Sequence, residues 1–380
     1  MIRRLFCLLL FLATVAAHAS PQILFVGYDA GETNIWIQLL SGWEKAEEAE
    51  LLTLSTATKV AQDARVPHQL QWEGVSSNRL EEISDLSQLN AINVPTVAIG
   101  MYSAPSRQIA EYYAKKGSKV IAIWDNFSTF DKLPSELVAN VERIVAAATA
   151  ILTPSLEIAS DLNSRFSTQK AIPMGQPTLE VWEKAIKSVD CTQALAKLSL
   201  RSDIPIITYI SGYEEKNNNY NASFALFAKS LTLLKRPVQL IVQLHPRSDG
   251  AYERGVLSAL AKEHPQYPAY AIGHPLTTFE SVALSSLGVC HRSTVAIQAL
   301  FAGKRFIHVD VPETAFSHFA MEKGLIAQLH CPEEIAKYLE GHLDGEVDVA
   351  TLYEKGGIVP GATQKFRDFL SPCLSHADPE

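Results

Sequence analysis

From residue 21 onward, short apolar runs alternate with amphipathic stretches, and the two kinds of segment have different periods. Residues 23–27, 51–54, 96–100, 119–124 and 150–153 are aliphatic, β-branched runs of strand length. Between them, residues 34–43, 106–116, 135–148 and 156–166 carry apolar side chains at helical spacing. This alternation predicts a parallel sheet covered by helices on both faces. The rhythm lapses over residues 187–203, where polar side chains dominate, and then restarts. Strands are expected at 204–210, 238–244, 270–272, 287–290, 306–309 and 326–329, and helices at 222–234, 251–263, 295–302 and 332–343. Phe366, Phe369 and Leu370 then fall on one side of a closing helix. The expected organisation is α/β in two domains with a cleft between them. A first domain covers 20–188, a linker 189–203, a second domain 204–345, and a helical return segment 346–380.

The first residues read as a targeting segment rather than as fold. Arg3 and Arg4 precede an apolar stretch from Leu5 to Ala17, and Ala17-His18-Ala19 is a small-x-small cleavage signal. A signal peptide over residues 1–19 implies export, to the periplasm or beyond, with an uncleaved N-terminal membrane anchor as the alternative. No other stretch is long and apolar enough to span a membrane. Export leaves Cys191, Cys290, Cys331 and Cys373, which have no CxxC or zinc spacing and allow three disulfide pairings. Cys290, in an apolar run, reads as a buried thiol.

With 33 basic against 41 acidic residues the net charge is −8, and no basic patch or tail stands out. Sequence-independent nucleic-acid binding is thereby disfavoured. Walker, GxSxG and HExxH motifs are absent, and the turn Tyr28-Asp29-Ala30-Gly31 is not GxGxxG. No cofactor and no metal are expected.

Candidate chemistry gathers at strand ends. His245-Pro246-Arg247 closes the run 238–244, because proline ends a ladder. Ser293-Thr294 opens a helix after the run 287–290, and Gly303 closes it. In open α/β sheets the carboxyl edge of the strands is where ligands bind. Hydroxyls at a helix N-terminus, beside the His245 imidazole and Arg247, describe a phosphate site. Arg247 could equally pair with Asp249. His291-Arg292 would either add positive charge to that pocket or lie on the surface. Asp29 reads as a helix-capping aspartate or as a general base. Asp125-Asn126 ends the run 119–124 and would face the cleft. Trp124 and Phe127 beside them suit either sugar stacking or the core.

Two Rossmann-like halves carrying these motifs resemble the GT-B glycosyltransferase superfamily. Residues 293–308 are similar to the segment that holds the donor diphosphate, where Ser/Thr opens a helix ending in Gly-Lys. Leu244-His245-Pro246 is similar to the His-Pro motif of a cytidine-nucleotide-using subset. That subset includes bacterial sialyltransferases, capsule Kdo transferases and CDP-glycerol glycerophosphotransferases. Residues 150–155 and 172–177 resemble the segments that close the first domain of the superfamily. The resemblance implies donor-phosphate contacts from His245, Ser293 and Thr294, and a glycine turn at Gly212 that lets backbone approach the phosphate. Gln298 stands where many members hold the donor ribose with glutamate. Asp29 stands in an Asp-Ala-Gly turn that partly matches an acidic-acidic-Gly motif containing the base.

The implied activity is transfer of a sugar or glycerophosphate from a nucleotide-activated donor, cytidine-linked in the His-Pro subset, to a glycan or lipid acceptor. The donor would be substrate rather than cofactor. Two other readings stand beside it. One is a periplasmic two-lobed substrate-binding protein; the other is a GT-B scaffold without activity, which Gln298 suits.

Overall fold

A computed structural model describes residues 21–212, 214, 219–245, 247–312, 317–345 and 347–374. Residues 1–20, where the targeting segment is expected, lie outside the described residues, as do Tyr213, residues 215–218 and Pro246. The chain divides into two compact units. One comprises the residues up to Pro177 and those from Val359 on; the other is Thr178–Ile358.

The first unit is built on seven strands. They are β1 (Ile23–Gly27), β2 (Ala49–Leu54), β3 (Gln69–Trp72), β4 (Thr96–Gly100), β5 (Lys119–Ile123), β6 (Ala150–Thr153) and β7 (Ala171–Pro173). Their order is β3-β2-β1-β4-β5-β6-β7, with every pair parallel. The second unit has six parallel strands in the order β10-β9-β8-β11-β12-β13. These are β8 (Ile206–Ile210), β9 (Gln239–Gln243), β10 (Ala269–Ile272), β11 (Leu287–Cys290), β12 (Phe306–Val309) and β13 (Ala327–Leu329). In each unit the chain first builds outward on one side, then crosses back to pair on the other side of its first strand. The switch points fall between β1 and β4 and between β8 and β11.

The unbroken apolar runs have a simple cause: a parallel sheet is covered on both faces, so its strands are buried on both. All five residues of β1 are buried. Leu24 and Val26 face one core with Val97, Ile99, Val120 and Ile151. Ile23 and Phe25 point the other way, against Ile35, Trp36 and Leu39 of helix Ala30–Leu40 and Phe366, Leu370 and Leu374 of helix Ala362–Leu374. The closing helix thus belongs to the first unit's core. Its Arg367 donates to the carbonyl of Leu39 at 3.0 Å, satisfying a carbonyl orphaned at the end of helix Ala30–Leu40.

Several expected boundaries move. Residues 189–203 are not an extended linker. They contain helix Cys191–Leu198, capped by Asp190, whose Ala194 packs with Ile206, Ile241 and Leu276 of the second unit. The polar residues that suggested a linker are the outer face of a short helix, and the chain changes unit at Pro177–Thr178 instead. Helix Val349–Gly356, expected in the return segment, belongs to the second unit. Strand β3, Gln-Leu-Gln-Trp, is too polar to read as a strand because it lies at a sheet edge. Among the described residues no helix is long and apolar enough to cross a membrane.

Truncating the closing helix's anchor tests this packing. Phe366→Ala should lower the stability of the first unit by about 3–5 kcal/mol, read by urea titration of tryptophan fluorescence. A loss below about 1 kcal/mol would mean that the helix does not complete this core.

Candidate functional site

The second unit brings three chemically distinct strand ends to one edge. After β8 come buried Ser211 and then Gly212, where a Cβ would stand 2.9 Å from the ring of Tyr220. After β9 comes half-buried His245, whose Nδ1 accepts the backbone N–H of Arg247 at 3.1 Å. In the neutral ring the proton therefore sits on Nε2. After β11 the chain turns through His291 and Arg292 into Ser293, the N-cap of helix Thr294–Phe301. Ser293 Oγ accepts from the N–H of Val295 at 3.3 Å, satisfying one of the helix's orphan donors. Because β9, β8 and β11 are successive neighbours, their ends lie within about 10 Å of one another. His245, Gly212 and Ser293 thus share one edge, with exposed Thr294 and half-buried Gln298 on the helix and exposed Arg247 beyond β9.

His291 is not on the surface. It is buried, with Nε2 3.5 Å from Asp310, which follows β12. Sequence reasoning overlooked Asp310 and its neighbour His308, although the strand-end rule that selected His245 applies equally to a residue directly after Phe306–Val309.

The first unit collects carboxylates at its own switch point. Asp29 follows β1 and caps helix Ala30–Leu40, its Oδ1 accepting from Gly31 N at 2.9 Å and Glu32 N at 3.2 Å. Glu32, 4% exposed, accepts the N–H of Tyr28 and lies against Gly100 at the end of β4. Any Cβ on Gly100 would overlap that carboxylate, so glycine is what admits it. Asp125 follows β5, and its Oδ2 is close enough to Gly31 that a Cβ there would stand 2.9 Å away. Tyr102 after β4 packs edge-on against Trp124, with ring centroids 5.5 Å apart.

Loss of solvation, then the charge of Asp29, raises Glu32 well above the usual carboxylate range. The same two causes, in the same order, push Asp125 up to about 7 although part of its surface stays open. A carboxyl with that value exchanges protons at neutral pH. Glu32 was missed in the sequence because a first-turn glutamate is ordinary helix chemistry.

Other candidates take structural places. Trp124 is buried, its Nε1 donating to Ser128 O at 3.0 Å, so it is core rather than a stacking platform. Asn126 is exposed and its Oδ1 accepts from Ser128 N at 2.8 Å, which makes a local turn. Cys191, Cys290, Cys331 and Cys373 are all free thiols, and burial raises Cys290 to about 12. Among the described residues no group of three or more His, Cys, Asp or Glu side chains is placed to hold a metal ion.

No protein-family model and no curated protein matches the sequence. Solved structures match it along nearly its whole length. The UDP-GlcNAc 2-epimerase from Methanocaldococcus jannaschii is 11% identical, with a TM-score of 0.68 over 92% of this chain and 99% of that one. A glycosyltransferase from Rickettsia africae is 10% identical, with a TM-score of 0.62 over 94% and 100%. The wall teichoic acid polymerase TagF is 12% identical, with a TM-score of 0.56 over 94% and 90%. The fold is GT-B-like. At 10–12% identity this likeness shows the fold and does not select a subset within it.

The raised Asp125 carboxyl makes a pH test. The folded chain holds its proton more tightly than the unfolded chain, so between about pH 4 and 7 rising pH removes stability. Asp125→Asn deletes that contribution. The variant should lose less stability than the parent between pH 5 and pH 8, compared by urea midpoints; equal losses would show that the carboxyl is not held neutral.

Proposed function

We propose that this chain is a GT-B transferase that moves a sugar or glycerophosphate from a nucleotide-activated donor to a glycan or lipid acceptor. The observation that carries the reading is the convergence of Gly212, His245 and the Ser293-capped helix on the switch-point edge of the second unit. A glycine at a strand end, an imidazole with its proton on Nε2 and a helix N-terminus are complementary to a diphosphate. In this reading His245 donates to the departing phosphate, while Ser293, Thr294 and Arg247 stabilise its developing charge. Gln298 meets the ribose by hydrogen bonding without charge.

The first unit carries its own candidate base. Asp125, rather than the cap Asp29, is the carboxyl suited to take a proton from an acceptor hydroxyl near neutral pH. The printed ligands of similar folds support a nucleotide-linked donor: a Neisseria meningitidis epimerase is bound to UDP-GlcNAc, and TagF carries CDPG. The structures named are enzymes, which leaves the binding-protein reading without support. Export of the mature chain, on the strength of residues 1–19, is part of the proposal.

Epimerisation of a nucleotide sugar is a second reading. It is favoured by the structures named as 2-epimerases and by a carboxyl, Asp125, able to trade a proton at neutral pH. Incubation with a nucleotide sugar alone separates the two, because only epimerisation yields a new nucleotide sugar without an acceptor.

Thermal unfolding with CMP, CDP, UDP and GDP tests the donor site itself. A matching nucleotide at about 100 times its dissociation constant should add roughly 2.7 kcal/mol, and His245→Ala should abolish most of that gain. Absence of stabilisation by any of the four would remove the transferase reading.

A further inference from the structure

The turn that presents Ser293 is held from beneath by a buried polar cluster with no part in the chemistry above. Asp310, fully buried directly after β12, is its centre. Its Oδ1 accepts from Ser223 Oγ at 3.1 Å and from the N–H of Val311 at 2.9 Å, and lies 3.5 Å from His291 Nε2. Its Oδ2 lies 3.6 Å from His308 Nε2 and 3.9 Å from Arg292 Nε. The Asp310 carbonyl is 3.0 Å from His330 Nδ1. His308, also fully buried, accepts the backbone N–H of Arg292 on Nδ1 at 3.3 Å. Arg292 has φ 51, a left-handed conformation that a non-glycine residue adopts only when its surroundings enforce it. The next residue is the cap Ser293.

We propose that Asp310 is a positioning residue for the donor-phosphate site, acting through His308 on the Arg292 backbone and so on the Ser293 turn. The logic is one of tautomers. A carboxylate beside Nε2 favours the proton on that nitrogen, which leaves Nδ1 as the acceptor that Arg292 N–H requires. Burial lowers the basicity of His308 and so keeps the ring neutral, the state in which this division of roles operates. Arg292 and His291 lean on the same carboxylate, so one buried charge fixes three consecutive features: the strand end, the left-handed residue and the cap. The inference rests on the donor-site reading, since a positioning residue needs a site to position.

The experiment measures affinity for CDP and UDP by calorimetry in the full mature chain, with ligand-free urea midpoints for every variant. Asp310→Asn should weaken binding roughly tenfold or more, as loss of a supporting partner does. The pair His308→Asn and His308→Leu decides between alignment and mere filling of space. An asparagine oxygen can stand in for Nδ1 and accept from Arg292, whereas leucine fills the volume and accepts nothing. His308→Asn should therefore bind severalfold more tightly than His308→Leu, and this pair decides the matter if Asp310→Asn does not fold. Nitrogen-15 spectra of histidine-labelled protein should show His308 as the Nε2–H tautomer in the parent chain. Parent-like affinity in Asp310→Asn, or equal affinity in the two His308 variants, overturns the inference while leaving the donor reading intact. A parent chain that binds neither diphosphate overturns both.

Discussion

Parallel pairing is the constraint from which the rest of this structure follows. With every strand of a sheet running the same way, all carboxyl ends emerge on one edge, and each connection must return over a face. The edge is therefore the one place in each unit where backbone turns, helix N-termini and polar side chains can be brought together from segments distant in sequence. Crossing back beside the first strand adds a gap, since the loops after β1 and β4, and after β8 and β11, leave in opposite directions. The two units use that geometry for different chemistry. One fills its switch point with carboxyls; the other carries a glycine and a capped helix at its switch point, with an imidazole at the end of the neighbouring strand.

The carboxyl cluster shows how such an edge is kept stable. Three carboxylates sharing one patch would repel, and burial would penalise each charge further. The structure avoids this by giving each a different role. Asp29 keeps its acceptors busy with the N–H groups of Gly31 and Glu32. Glu32 is pressed against Gly100 under conditions that favour its neutral form. Asp125 is partly open and titrates near neutrality. Burial does most of the raising and the charge of Asp29 adds to it, so altering Asp29 would shift Asp125 as well.

Much of this was legible in the chain. The alternation of apolar runs and amphipathic stretches gave the α/β class because buried parallel strands are continuously apolar, as in Ile23–Gly27. The strand-end rule singled out His245, Ser293 and Asp125, which do follow β9, β11 and β5, whereas Gly212 came from the resemblance. Two kinds of feature escaped it. Short elements with polar outer faces, such as Cys191–Leu198 and β3, do not hold enough apolar residues to show a period. Residues defined by tertiary neighbours, such as Glu32 and Asp310, look like an ordinary first-turn glutamate and an ordinary loop aspartate until Gly100 and His308 are placed beside them.

Arg292 shows why the second unit needs its buried polar cluster. A left-handed non-glycine residue costs about 1–2 kcal/mol, and glycine at that position would adopt the same conformation with no such cost. Glycine would also be free to leave it. Arginine held there by a backbone hydrogen bond to His308 and by Asp310 at 3.9 Å has one conformation supported from two directions. Its strain is offset by contacts that exist only when the turn is correctly formed. The proposed phosphate-binding turn would benefit from that arrangement, because orphan N–H groups bind an anion well only if they are aimed before it arrives. The polar interior beneath Ser293 is, on this argument, the cost of keeping the edge above it rigid.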